Sequence, residues 1–319
     1  MGIDIGTTTT QLVFSRITLE NMAGFASVPR IAIVDKEVIY RGKIYFTPLL
    51  SDNKIDYESV LSIVDAEYKA AGIVKSDLST GAVIITGETS RKDNAGKVLR
   101  MLSGYAGEFV VATAGPDLES VLAAKGAGVN SLSKELNNTI ANFDIGGGTT
   151  NIAVFRRGQL LDTTCADIGG RLIRIEKRKI THISPKVQWL AARKGIGLAV
   201  GDTANPASLR QIADAMAEVL NSILKNEKNQ ITEYMLTVAG LKPIPVDAIS
   251  FSGGVADLIY NPEPGFVVPK TSDPFAFGDI GVILGAAIRD SDLCKSNKVI
   301  KPLETIPTVV FLNFLFLRL

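Results

Sequence analysis

Asp4 to Phe14 reads DIGTTTTQLVF, and Asp144 to Phe155 reads DIGGGTTNIAVF. The two stretches align without a gap. Asp4-Ile5-Gly6 falls on Asp144-Ile145-Gly146, Thr9-Thr10 on Thr149-Thr150, Gln11 on Asn151 and Leu12 on Ile152. A single D-x-G-x-T is a weak signal, because such turns are common. Two copies separated by a domain's length of chain mark a duplicated domain rather than a short-period array. In both, an apolar strand ends on an aspartate, glycine breaks it, and hydroxyls lead into a second strand.

That residue set points to phosphate. Glycine lets the backbone approach closely and turn its N–H groups toward anionic oxygens. Threonine hydroxyls donate to phosphate without adding charge. A carboxylate repels phosphate, so an aspartate at such a turn calls for a divalent cation. Mg²⁺ keeps several waters and takes few carboxylates. Asp4 and Asp144 are therefore expected to be water-bridged metal ligands. Gly6, Thr7, Thr8 and Thr9 are the expected phosphate contacts of one copy, and Gly146, Gly147, Gly148, Thr149 and Thr150 those of the other. The competing reading is a pair of Gly/Thr hairpin turns with capping aspartates. FSGGVADL, Phe251 to Leu258, places a glycine pair after a buried strand and before a helix. There Ser252, Gly253 and Gly254 are expected to line an adenosine pocket, with a plain strand-to-helix turn as the alternative. AAKGAGVN and IGVILGAA carry Gly126, Gly128, Gly281 and Gly285. They suit close helix crossing, either as a hinge or as ordinary tight packing. Rival nucleotide motifs are missing. There is no G-x-x-x-x-G-K-[ST], and Gly195 to Gly201 (GIGLAVG) lacks the G-x-G-x-x-G spacing and reads as a helix end and a loop.

Composition narrows the rest. A chain of 319 residues suggests about two domains. Net charge of +1 argues against nucleic acid or an anionic membrane as partner. Cys165 and Cys294 form no metal-ligand spacing, and the lone His182 makes a Ser-His-Asp hydrolase improbable. No signal peptide is expected. Pro307 to Leu319 (PTVVFLNFLFLRL) is almost wholly apolar yet shorter than the ~20 residues of a membrane helix. It reads as a buried strand or a cut end, with a tail anchor as the alternative. Along the chain, strands are expected at 31–34 and 38–46 with a turn near Asp35-Lys36. Helices are expected over 56–71 and 118–125 and from Asn205-Pro206 onward, with a helical start to the basic stretch Arg171 to Lys179. Buried strands are expected at 82–85, 109–112, 139–143 and 248–251. Strand hairpins followed by alternating helices and buried strands, twice over, give two related α/β lobes.

In this order the five pieces resemble the ATPase superfamily of actin, sugar kinases and heat-shock chaperones. They are a first phosphate segment (Asp4 to Gln11), a first connecting segment (Glu119 to Gly128), a second phosphate segment (Asp144 to Asn151), an adenosine segment (Ser252 to Asp257) and a second connecting segment (Gly278 to Ala287). The resemblance implies duplicated ribonuclease-H-like, actin-like ATPase domains with a nucleotide cleft between two lobes. Lobes are expected at 1–142, joined by a return helix at 280–291, and at 143–279, with an atypical tail from 292 to 319. It also implies ATP and Mg²⁺ as cofactors. Glu119 matches the connecting-segment glutamate that orients water, and Gln11 is a weaker candidate for that role. Glu88 and Arg91 could face the cleft or cap a helix.

Within the superfamily, GIDIGTTTTQLVFSRITLEN, SVPRIAIVDKEVIYRGKIYFTPLL, GAVIITGETSRKDNA, FVVATAGPDLESVLAAKGAG and NFDIGGGTTNIAVF resemble reactivating factors of ethanolamine ammonia-lyase. This implies an ATP-dependent chaperone for an adenosylcobalamin enzyme, promoting release of damaged cobalamin so that intact coenzyme binds. The implied partners are ethanolamine ammonia-lyase and, through it, cobalamin. The implied location is the cytoplasm, in association with a bacterial microcompartment. The match ends near Thr305, which reads as a truncation relative to the family. Two other classes fit the same motifs: a small-metabolite kinase, and a non-catalytic actin-like nucleotide-binding scaffold.

Overall fold

A computed structural model describes residues 1–6, 9–21, 31–43, 45–51, 54–85, 93–103, 109–113, 115–260, 273–303 and 305. Thr7, Thr8, Glu88, Arg91 and the apolar tail lie outside the described residues. The chain forms two compact units that part between Ala114 and Gly115.

The first unit holds β1 (Gly2–Ile5), β2 (Thr9–Asn21), β3 (Ile31–Arg41), β4 (Tyr45–Phe46), β5 (Leu49–Ser51), β6 (Lys54–Ile55), α1 (Tyr57–Ala71), β7 (Gly81–Ile85), α2 (Ala95–Ser103) and β8 (Phe109–Thr113). Its main sheet runs β3-β2-β1-β7-β8, with β4 also on β2. β1 is antiparallel to β2 and parallel to β7. Helix α1 starts where Asp56 accepts the Ser59 N–H and stops at Gly72, whose φ of +66 only glycine adopts cheaply. Val60, Val64 and Tyr68 recur at helical spacing and meet Ile3, Ile5, Leu12 and Phe14 from one face of the sheet. The turn expected at Asp35-Lys36 is not there. β3 runs straight through it, and two register shifts against β2, after Phe14 and after Thr18, absorb the break in alternation.

The second unit opens with α3 (Pro116–Gly126) and α4 (Val129–Glu135), followed by β9 (Thr139–Ile145), β10 (Thr150–Arg156), β11 (Gln159–Ala166), β12 (Ile173–Glu176) and β13 (Lys179–Ile183). Then come α5 (Pro185–Arg193), α6 (Pro206–Leu224), α7 (Gln230–Met235), β14 (Ala248–Ser252), α8 (Ala256–Ile259), α9 (Gly281–Asp290) and α10 (Asp292–Lys295). Its sheet runs β11-β10-β9-β14, with β9 antiparallel to β10 and parallel to β14. Both sheets thus order their strands third, second, first, fourth within each copy. That is the duplication seen in backbone topology. The break between units falls earlier than the lobe boundary expected at 142, because α3 and α4 lay Ala124, Ala127 and Val129 on Ile140, Ala153 and Phe155 of the second sheet. Leu284, Ala287 and Ile288 of α9 join the core that α6 covers with Leu209, Ile212, Met216 and Leu220.

The basic stretch expected to begin as a helix holds only a single 3-10 turn at Gly170–Leu172. Beyond it lies the β12–β13 hairpin, turning through Lys177 and Arg178 at positive φ. Ile173, Ile175 and Ile180 are buried at strand spacing, a period the intervening basic residues disguise.

Candidate functional site

Each repeated turn closes the same way. In the first, Asp4 pairs with Gln11 and Ile5 with Thr10, and the Gly6 N–H donates to Thr9 O at 2.8 Å. In the second, Asp144 pairs with Asn151 and Ile145 with Thr150, and the Gly146 N–H donates to Thr149 O at 3.0 Å. The gapless alignment is therefore a register, residue for residue.

The two equivalent threonines after the turn face inward. Thr47 Oγ1 donates to Gly6 O at 2.7 Å, so the buried Thr10 hydroxyl, 3.1 Å from Thr47 Oγ1, must be the donor of that pair. Thr150 is fully buried and donates to Ile168 O at 2.8 Å. Thr149 is nearly buried, whereas Thr9 is exposed. Gln11 Nε2 donates to Gly42 O at 3.0 Å. That bond ties the amide to the 41–47 segment.

A buried carboxylate braces the first turn from behind. Glu67 is 1% exposed, on α1. It accepts from the Tyr45 hydroxyl at 2.5 Å, the Tyr40 hydroxyl at 2.8 Å and the Lys43 N–H at 3.2 Å. The hydrogen bond to Glu67 pushes the Tyr45 hydroxyl up to about 12 and Tyr40 upward too. Gly42 lies so close that a Cβ there would collide with Glu67 Oε2 and Leu12 O. Glu67 thereby fixes the segment whose Gly42 and Thr47 hold Gln11 and Gly6.

Backbone braces the second turn. The Gly170 N–H donates to Gly146 O at 3.1 Å and the Arg171 N–H to Gly147 O at 2.7 Å, while the Ile280 N–H donates to Gly170 O at 3.0 Å. A Cβ on Gly169 would collide with Gly147 O, and one on Gly170 would come within 2.9 Å of Gly281 Cα. Gly253, at φ +88, brings β14's end onto the end of β9, where a Cβ would meet Ile145 O at 2.5 Å. Gly254 has open space where a Cβ would sit. Of the expected glycine pair, Gly253 is thus packed into the turn and Gly254 is exposed. Gly285 sits against Leu258, where a Cβ would lie 2.6 Å away, so tight packing accounts for it.

Ser252 ends β14 beside Asp144, and its hydroxyl donates to Asp144 Oδ1 at 2.6 Å. Asn142 Nδ2 in turn donates to Ser252 Oγ at 2.9 Å. Asn142, Asp144, Asn151 and Ser252 share one face of the sheet by register, so polar groups fill the part of that face that α3 and α4 leave uncovered. Asn142 and Asn151 are 0% and 2% exposed, and their Oδ1 atoms have no hydrogen-bond partner among the described residues. Burial pushes the Asp144 carboxyl up to about 6, against the pull of the Ser252 hydroxyl. Glu119 lies half-buried in the first turns of α3, in the same unit as Asp144. That helix is tied to β11 by the Thr163 hydroxyl, which donates to Asp117 Oδ1 at 2.8 Å, while the Ser120 hydroxyl donates back to Pro116 O at 2.8 Å.

The donor set fits Mg²⁺. In each turn it is hard oxygen, with a carboxylate at Asp4 or at Asp144 and, next to Asp144, unpaired amide oxygens. No cluster of three or more His, Cys, Asp or Glu occurs among the described residues. No described helix is long and apolar enough to cross a membrane. Sequence reasoning missed Asn142, Glu67 and Thr47. Asn142 was open to detection, because it stands two residues before Asp144 in a strand and so shares its face. Glu67 gave no local signal, since its partners lie more than 20 residues away in sequence.

Comparison with known proteins agrees with the fold. The family model described as ethanolamine utilisation protein EutA matches residues 1–311. The ethanolamine ammonia-lyase reactivase EutA of Salmonella typhimurium LT2 is 35% identical over 314 residues, 97% of this chain and 65% of that protein. The reactivase EutA of Escherichia coli K12 is 34% identical over 313 residues, with the same coverage. The chain thus spans 65% of the length of these relatives. Among solved structures, a Ppx/GppA family member from Aquifex aeolicus superposes with a TM-score of 0.55 at 15% identity, over 99% of this chain and 97% of that one. The chain thus shares the fold of that Ppx/GppA family member, with α/β architecture in both of its units. With a matched register in both turns and a family match along nearly its whole length, the chain belongs to the ethanolamine utilisation protein EutA family.

Proposed function

We propose that the chain is an ATP-dependent reactivating chaperone for adenosylcobalamin-dependent ethanolamine ammonia-lyase, which promotes release of damaged cobalamin so that intact coenzyme can bind. The observation that carries the ATP half of this reading is the pair of Asp-x-Gly turns with identical register and closure. The client half is supported by the reactivase names of the two curated relatives. Asp4 and Asp144 hold Mg²⁺ through water. When bound, the ion offsets the negative charge of the phosphates. Gly6, Gly146, Gly147 and Gly148 and the exposed Thr9 hydroxyl meet the phosphates in this reading, together with Thr7 and Thr8. Gly254 faces the adenosine. Glu119 orients the attacking water. Binding and hydrolysis shift the balance between conformations and so change affinity for the lyase. The two lobes in this reading are 1–142, with a return helix at 280–291, and 143–279. The setting is the cytoplasm, in association with a bacterial microcompartment, without nucleic acid or membrane as partner.

The test mixes the full chain with cobalamin-inactivated lyase, Mg²⁺, ATP and fresh adenosylcobalamin. Restored ethanolamine deamination that depends on ATP is the expected result. Phosphorylation of a small acceptor instead would make it a kinase. Nucleotide binding without turnover in any mixture would make it a scaffold.

A further inference from the structure

Ser252 entered as an adenosine contact, but its hydroxyl is spent elsewhere. We infer that Ser252 and Asn142 form a one-way hydrogen-bond relay that sets the orientation of the Asp144 carboxylate, and that Ser252 is a positioning residue for the metal. The inference rests on the ATP·Mg²⁺ reading above and assigns this pair a role in it.

The direction of the relay follows from donor counting. A serine hydroxyl has one proton and can accept as well as donate. Asn142 Nδ2 lies 2.9 Å from Ser252 Oγ and can only donate. Ser252 is thereby made the acceptor on that side, and its proton goes to Asp144 Oδ1 at 2.6 Å. A short bond to an ionised acceptor is the strong kind. It occupies one carboxylate oxygen and leaves the other for water on the metal. Register holds the parts in place. Ser252 and Asp144 are parallel neighbours on β14 and β9, and Asn142 precedes Asp144 by one strand repeat.

Burial argues that the relay is not incidental. Asn142 and Ser252 are both 0% exposed, and Asn142 keeps an unpaired Oδ1. An orphaned buried acceptor costs roughly 1–3 kcal/mol. An apolar residue would fill the same place on the sheet without that cost, as Ala153 and Phe155 do farther along the same face. The β7 neighbour of the first turn is apolar. Ile84 of β7 stands beside Asp4 where Ser252 of β14 stands beside Asp144. Loss of such an outer partner typically weakens metal binding by about 10–100-fold.

The experiment measures ADP affinity of the full chain with EDTA and with Mg²⁺, together with thermal midpoints, for the wild type, Ser252→Ala, Ser252→Thr and Asn142→Asp. Ser252→Ala should leave metal-free affinity within about twofold and lose about tenfold of the tightening that Mg²⁺ gives. Ser252→Thr, which keeps the hydroxyl, should restore most of it. Asn142→Asp replaces the donor by an acceptor, draws the Ser252 proton away from Asp144, and should resemble Ser252→Ala. Equal Mg²⁺ tightening in the wild type and Ser252→Ala overturns the inference while leaving the ATP reading intact. A loss of equal size with and without Mg²⁺ also overturns it, because it marks a merely structural serine. A wild type whose nucleotide binding ignores Mg²⁺ overturns both.

Discussion

The two turns are copies in register and opposites in support. The first is held largely by side-chain bonds: the Thr47 hydroxyl on Gly6 O, the Gln11 amide on Gly42 O, and Glu67 behind them. The second is held by backbone packed on backbone, through Gly169, Gly170 and Gly253, and by the Asn142–Ser252 relay. A duplicated motif thus conserves what the chain must present, a carboxylate beside a tight turn. How it is braced is left to whatever each unit packs behind it. The difference has a consequence. Side-chain bracing can be lost one bond at a time, whereas glycine packing fails when a single Cβ is added.

The largest expected effect removes what the turns share. Asp4→Ala and Asp144→Ala should each abolish the Mg²⁺ dependence of nucleotide binding. The loss should exceed the roughly 100-fold ceiling for an outer partner such as Ser252. Calorimetric titration with ADP at fixed Mg²⁺ checks this. If either variant keeps wild-type Mg²⁺ dependence, the turns are not functional equivalents.

Next come the two kinds of bracing. Gly253→Ala forces a Cβ to within 2.5 Å of Ile145 O at a φ of +88. It should cost about 3 kcal/mol or more in urea unfolding, since steric overlap and positive-φ strain add. Gly254→Ala, with open space at its Cβ, is the control and should be near neutral for stability. Glu67→Ala leaves the Tyr45 hydroxyl and the Lys43 N–H without their acceptor, and should cost on the order of 2–3 kcal/mol. Glu67→Gln should recover part of it, because one amide oxygen still accepts. The comparison breaks if Gly253→Ala proves milder than Glu67→Ala.

The same contrast explains what the sequence disclosed. The register of both turns was legible because it rests on local order: aspartate, glycine, hydroxyls and a period of two. Helix α1 was legible through Asp56, Gly72 and the buried stripe between them. The β12–β13 hairpin was hidden because basic residues interrupt Ile173, Ile175 and Ile180, so the stretch was expected to start as a helix. β3 was cut at Asp35-Lys36 because bulges shift alternation without ending a strand. Ser252 was found but given another partner, since which neighbour a hydroxyl faces is decided by parallel pairing of β14 with β9. Glu67 could not be found at all. Its donors come from a segment that only the closed sheet brings near.

The smallest effect is one of pH, and it sharpens the contrast between a well-supplied carboxylate and a poorly supplied one. Glu67 has three donors. Asp279, behind the second turn, is 7% exposed; the Gly281 N–H donates to its Oδ1 at 2.8 Å. Burial pushes its carboxyl up to about 6, with the Gly281 N–H and the Arg171 charge opposing. An unfolded aspartate titrates near ~3.9, so between about pH 4 and 6 the folded chain binds more protons than the unfolded one. Stability from this group is thus complete below about pH 4 and is lost as pH rises through 6. Asp279→Asn keeps the acceptor for Gly281 and removes the charge. Urea midpoints taken from pH 4 to 7 should therefore decline less steeply in Asp279→Asn, by no more than about 1–2 kcal/mol across the window. Asp144, also held near about 6, should account for slope that remains. An Asp279→Asn profile parallel to the wild type would show that the buried carboxylate behind the second turn is better supplied with donors than its hydrogen bonds indicate.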